Sequence, residues 1–319
     1  MKAIVINKNG GPEAVELSEH DPALPQDGQL QVTVEVAGVN YLDIYQRNGA
    51  LQAPFGAGVE GVGVVSQVGP GVNLAVGTRV GWLAGQGSFA ESITIDAAKT
   101  VTIPDDISST DAVALLMQGV TAHYLTTAAV QLVAHHTVLV HAAAGGVGRL
   151  LVQVAHHIGA TVIATASTDA KRAIALDAGA DYAIDYEGFA DRVREITGGA
   201  GVDVVYDGIG KATVAESLDS LAARGNLIVI GAASGPPPAV EFGQLAKGSY
   251  GIRRPSVAHY TALPGELQAR AAEVFQWARD GVITTSIARR YPLEDVAKAQ
   301  QDLESRQLAG KLVIDIAGA

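Results

Sequence analysis

Between residues 138 and 230, short apolar runs alternate with amphipathic stretches. That alternation limits the fold more than any other feature of this 319-residue chain. Strand candidates at 138–141, 161–165, 182–184, 202–206 and 227–230 are separated by helix candidates at 147–158, 169–178, 189–196 and 213–222. Val147, Leu150, Leu151, Val154, Ala155 and Ile158 form one stripe at helical spacing. Repeated strand–helix units of this length build a parallel, doubly wound sheet.

The first hundred residues follow another rhythm. Leu30, Val32, Val34 and Val36 alternate with Gln31, Thr33 and Glu35, the period of a half-buried strand. Residues 3–6, 59–68, 78–82 and 89–95 are further strand candidates, punctuated by glycine clusters. Residues 108–116 and 119–129 read as two helices. In the tail, 265–280 and 293–304 read as helical, 288–292 as extended, and 311–316 as a strand able to return to the first domain.

Composition narrows the partners. A formal net charge of −11 repels phosphate backbones and anionic membranes, so no nucleic-acid or membrane partner is expected. The chain has no cysteine, which removes disulfides, thiolate metal sites and a cysteine nucleophile together. Residues 1–11 lack the pattern of a signal peptide, and no apolar stretch reaches 18 residues. A cytoplasmic location is the expectation.

The strongest local motif is Ala142-Ala143-Ala144-Gly145-Gly146-Val147-Gly148, between a strand candidate and a helix candidate. This is the context of a dinucleotide fingerprint, with alanine at the first glycine position. Gly145 and Gly146 let the backbone approach a pyrophosphate, Gly148 allows close packing, and the helix start favours phosphate. An acid about 20 residues after such a loop would hold the ribose 2′-hydroxyl of NAD. Thr165, Ala166, Ser167 and Thr168 stand there instead, followed by Lys171 and Arg172. Hydroxyls and cations suit a 2′-phosphate, so the expected cofactor is NADPH. Asp169 reads as a helix N-cap.

The chain resembles the zinc-independent quinone oxidoreductases, the ζ-crystallin group of the medium-chain dehydrogenase/reductase superfamily. The segments that carry the resemblance span nearly the whole chain. They include Asn9-Gly10-Gly11-Pro12-Glu13, residues 38–47, Gln118-Gly119-Val120-Thr121, the glycine loop through Gln153, Val204-Val205-Tyr206-Asp207, Arg254-Pro255-Ser256 and Tyr291-Pro292-Leu293. The resemblance implies an α/β protein. A GroES-like β-rich catalytic domain is built from residues 1–119 and 260–319, and a Rossmann domain from 120–259, with the cofactor in the cleft. It further implies that Asn40, Tyr41, Asp43 and Tyr45 line the nicotinamide end, with Thr121 and Tyr124 nearby. Gly146 and Val147 would meet the pyrophosphate, and Ser167, Thr168 and Lys171 the 2′-phosphate. Tyr186 would flank the adenine end, and Ile230, Ser256 and Arg306 would lie on the cofactor side. Homodimers are usual in the group. The chain departs from the group at His135, His156, Gly208 and Leu51, the last where many relatives carry a tyrosine.

Zinc dehydrogenases of the superfamily need cysteine and histidine ligands. Where they have Gly-His-Glu, this chain reads Gly58-Val59-Glu60, and no metal is expected. The adjacent pairs His135-His136 and His156-His157 point apart on a helix, and His141 reads as a packing residue. Without a Lewis acid, a quinone or conjugated enone is the suitable acceptor, because it takes electrons without strong polarisation. The expectation is hydride transfer from NADPH to such an acceptor. Tyr45 would orient it or donate a proton, and Asn40 would hold cofactor or acceptor. Asp43 and Arg47 could form a local ion pair. The rival readings are a 2-alkenal or 2-enoyl thioester reductase, and a non-catalytic NADPH-binding sensor.

Overall fold

The computed structural model describes residues 1–316. The chain divides into two units. The first is Met1–Val120 with Thr261–Phe275 and Thr285–Ala319; the second is Thr121–Tyr260 with Gln276–Thr284.

The first unit is built mainly on antiparallel strands, with Ile287–Pro292 and Lys311–Asp315 paired in parallel. Its larger sheet runs in the order Ile287–Pro292, Lys311–Asp315, Gln29–Val39, Glu60–Val68, Arg79–Leu83, Thr100–Thr102, and Ser92–Asp96 also pairs with Gln29–Val39. The alternation in residues 30–36 has its physical cause here. Leu30, Val32 and Val34 are fully buried against Val65, Val80, Trp82 and Ile93. The final strand does return: Leu312 pairs with Val39 and Ile314 with Ala37, antiparallel. A small sheet of Glu16–Glu19, Lys2–Ile6 and Phe55–Gly56 completes the unit. Glu16–Glu19 and Thr100–Thr102 were not anticipated; strands this short hold little periodicity.

The second unit is a six-stranded parallel sheet. Its order is Tyr182–Ile184, Thr161–Thr165, Thr137–Val140, Val202–Asp207, Leu221–Val229, Gly251–Arg253. The first strand in sequence lies in the middle. The chain moves outward from it on one side, then returns to fill the other. The order reverses between Thr137–Val140 and Val202–Asp207, and open α/β sheets bind ligands at such a switch point, beyond the strand C-termini. Leu139, Ile163, Val205 and Leu227 form the centre of this unit's core.

Two expectations need correction. Residues 108–116 and 119–129 are not separate helices. Ser109–Tyr124 is one α-helix that continues as a π-helical turn, Leu125–Ala129. Gly119 is no breaker; it makes room, since a Cβ there would fall 2.6 Å from Val274 Cγ1. The expected helix 213–222 is only Val214–Asp219, and a strand begins at Leu221, paired with Val202. The helix-favouring Ala222-Ala223 pair gives way to sheet pairing, an example of tertiary context overriding local propensity. The edge strand Gly251–Arg253 was also unforeseen.

Candidate active site

The glycine loop leaves the central strand Thr137–Val140 at the switch point and opens the helix Gly146–Ile158, with Gly145 at its N-cap. No side chain caps this helix start. Its first amides therefore remain donors for an anion, aided by the helix dipole. Ala142 takes a left-handed backbone at φ 50°, and its carbonyl accepts from Gly145 N at 2.8 Å. A Cβ on Gly148 would meet that carbonyl oxygen at 2.3 Å. The close approach that requires glycine is thus loop to helix. This cradle fits a nucleotide pyrophosphate.

Polar groups lock the loop from beneath. His141 is buried, with Nδ1 2.8 Å from Thr165 Oγ1 and Nε2 3.0 Å from Ser217 Oγ. Burial pushes its imidazole down to about 4, against the opposing pull of Asp207, so the ring is neutral at pH 7. Asp207 accepts from Ile209 N, Gly210 N, Thr213 Oγ1 and Ser217 Oγ, fixing the turn after the adjacent strand. The Tyr186 hydroxyl accepts from Ala142 N at 2.9 Å, and its ring stacks on His141 with centroids 5.9 Å apart. Tyr186 therefore supports the loop itself. His141, Ser217 and Asp207 were not read from the sequence as one network, because 76 residues separate His141 from Ser217.

Past the second strand, Ser167 and Thr168 are exposed and Lys171 is half-buried. The N-cap of helix Asp169–Asp177 is Thr168, whose hydroxyl accepts from Lys171 N; Asp169 is not the cap and instead pairs with Arg172. Thr121 and Tyr124 are buried, and Tyr124 stacks on Tyr260 at 4.5 Å. Ile230 N donates to Asp207 O at 2.7 Å, and Ser256 O accepts from His259 N.

In the first unit, the helix Tyr41–Tyr45 starts at Asn40, whose backbone N–H donates to Asp43 Oδ2 at 2.7 Å. Asp43 is fully buried and its Oδ1 has no hydrogen-bond partner. Burial, more than the charge of Glu60 and against the pull of Lys311, pushes its carboxyl up to about 7. The Asn40 carboxamide is engaged on every side. Nδ2 donates to Gly38 O and Glu60 Oε2, and Oδ1 accepts from Lys311 Nζ. Tyr41 donates to Leu303 O at 3.1 Å and lies beside Arg306, while its ring centroid is 6.1 Å from that of Tyr45. Arg306 holds a left-handed backbone at the end of the helix Val296–Ser305. The suggested Asp43–Arg47 ion pair is not formed. Arg47 is buried and its guanidinium goes to Glu304, Gln300 and Gly10 O. Arg47 follows the five-residue helix in a π-helical turn, which aims it away from Asp43.

Two family models match the chain: "Alcohol dehydrogenase GroES-like domain" over residues 26–105 and "Zinc-binding dehydrogenase" over residues 146–271. The zinc of the second description does not fit these residues. The chain lacks cysteine, and among the described residues no three of His, Asp or Glu group as a metal site. Glu60 is taken up by the Lys311 ammonium at 2.6 Å. A quinone oxidoreductase of Salmonella typhimurium is 39% identical, covering 98% of both chains. A 2-haloacrylate reductase of Burkholderia sp is 38% identical with the same coverage. The structure of Escherichia coli quinone oxidoreductase complexed with NADPH superposes with a TM-score of 0.96 at 37% identity, covering 99% of this chain and all of that one. Built from a GroES-like unit and a Rossmann unit, this chain belongs to the quinone oxidoreductase family of the medium-chain dehydrogenases/reductases.

Proposed function

We propose that the chain is an NADPH-dependent, metal-free reductase of quinones or similar conjugated acceptors. The observation that carries this reading is the glycine cradle at the switch point, with hydroxyls and a lysine rather than an acid after the next strand. NADPH, when bound, supplies the hydride. Gly146 and Val147 hold its pyrophosphate through backbone amides, and Gly145, its own N–H closed onto Ala142 O, lets the backbone approach. Ser167, Thr168 and Lys171 hold the 2′-phosphate. Tyr186 serves from beneath the loop. In the second unit, Thr121, Tyr124, Ile230 and Ser256 are assigned to the cofactor; in the first unit, Asn40, Tyr41, Asp43 and Arg306 are so assigned by the family resemblance.

Within this reading Tyr45, half-buried on its short helix, orients the acceptor or gives it a proton, and Asn40 holds its place. Asp43 contributes indirectly, since its carboxyl turns inward to Asn40 N. Tyr45→Phe is expected to lower kcat/KM for 1,4-benzoquinone on the order of 100-fold, the low end of a general-acid contribution. Turnover equal to the wild type would remove Tyr45 from the chemistry.

The 2-haloacrylate reductase relative supports a second acceptor class, activated alkenes, for the same site. We also infer a cytoplasmic homodimer. Strand Gly251–Arg253 ends its sheet with no further strand among the described residues, an edge that a second copy would extend. A solution mass near twice 32.7 kDa would support the dimer; a monomer mass would refute it.

A further inference from the structure

Three neighbouring strands of the first unit bring together charges that the proposed chemistry has not used. Glu60 begins one, Lys311 begins another, and Gly38 lies near the end of the strand between them. Glu60 and Lys311 are both at most 2% exposed. Lys311 Nζ lies 2.6 Å from Glu60 Oε2 and 2.8 Å from Asn40 Oδ1, and Glu60 Oε1 accepts from Met117 N at 2.6 Å.

We propose that Lys311 is a positioning residue: its buried ammonium, held by Glu60, fixes the Asn40 carboxamide and with it the start of the helix Tyr41–Tyr45. This rests on the roles of Asn40 and Tyr45 given above. Removing two charges from water is costly, and an apolar pair of similar volume commonly serves stability as well. What an apolar pair cannot supply is direction. The ammonium can only donate, so it selects Oδ1; the carboxylate only accepts, so it selects Nδ2. The amide is thereby held in one orientation. Gly38 keeps the arrangement open. Its carbonyl takes the second Nδ2 hydrogen, and a Cβ there would fall 2.2 Å from Glu60 Oε2 and 2.8 Å from Lys311 Cε. With its backbone N–H on Asp43, Asn40 is tied at main chain and side chain, immediately before the residues that carry Tyr41 and Tyr45.

The test is the double variant Glu60→Met with Lys311→Met, which removes both charges and leaves neither unpaired. Kinetics with 1,4-benzoquinone, NADPH titration by fluorescence and thermal melting are read beside Asn40→Ala. The expected result is a kcat about tenfold lower or less, close to that of Asn40→Ala. NADPH affinity should change no more than it does in Asn40→Ala, and adding Asn40→Ala to the pair should give no further loss in either readout, as for groups acting as a unit. A folded double variant with wild-type kcat beside a slowed Asn40→Ala would overturn the role of Lys311 alone. Wild-type kcat in Asn40→Ala would instead overturn the reading of Asn40. Should the methionine pair not fold, Gly38→Ala decides: it displaces Glu60 without deleting a charge. The same tenfold loss, with NADPH affinity no lower than in Asn40→Ala, supports the proposal, and an unchanged kcat refutes it.

Discussion

Gly148→Ala is expected to weaken NADPH binding by about 100-fold or more, a far larger effect than one methyl group has at an ordinary helix position. The added carbon would lie 2.3 Å from Ala142 O and 3.0 Å from Ala143 Cα, both backbone atoms. Neither can rotate away as a side chain would. Ala142 is also held on three sides, by Tyr186 at its N–H, by Gly145 N at its carbonyl, and by its own left-handed φ. The loop must therefore move as a body, and the open amides of Gly146 and Val147 move with it. Losing two charge-assisted hydrogen bonds to phosphate costs roughly 3–6 kcal/mol, more than two decades of affinity. Overpacking adds about 1–3 kcal/mol to the loss of fold stability. NADPH fluorescence titration, with a thermal melt to establish folding, checks this. A folded variant that binds NADPH like the wild type would mean that the cradle is not the phosphate site.

The second large effect concerns Asp43 and pH. Its carboxyl titrates near 7 in the folded chain, raised by burial, against 3.8 without the fold. Between those values the folded state keeps a proton that the unfolded state has lost. Stability therefore falls as pH rises from about 4 to about 7, and the contribution is level beyond. At about 1.4 kcal/mol per unit, the full loss is at most ~4 kcal/mol. Asp43→Asn removes the titration and keeps an oxygen to accept from Asn40 N. Urea unfolding should place the variant near the wild type at pH 4.5. At pH 8 it should be more stable by a few kcal/mol. A difference that does not grow between these pH values would show that Asp43 is already ionised in the folded state. Of the groups facing Asp43, the Glu60 carboxylate favours the proton, while the backbone N–H of Asn40, the Lys311 ammonium and the Val59 backbone oppose it; burial outweighs them.

Much of this architecture was legible where a pattern runs over many residues. The stripe on helix Gly146–Ile158 and the alternation in 30–36 both reflect one face buried against a core, which repeats in sequence. The glycine loop was legible because its backbone needs a residue type that few other positions need. What stayed hidden has a different origin. The strand at Leu221 begins where its neighbour Val202 offers pairing, and that partner is not local. Thr168 and Asp169 are both good caps, and only the position of the Lys171 amide separates them. Lys311 starts an ordinary-looking final strand. Its partners Asn40 and Glu60 lie 271 and 251 residues away, so nothing near it in sequence marks it as buried. Glu60 was noticed only as part of a missing zinc motif, although the fold gives it a lysine in place of a metal.

The most direct measurement is the loss of NADPH absorbance with 1,4-benzoquinone, repeated with NADH and with a metal chelator. The account predicts rapid oxidation of NADPH, much slower oxidation of NADH, and no effect of the chelator. Tight NADPH binding without oxidation, a preference for NADH, or inhibition by the chelator would contradict it.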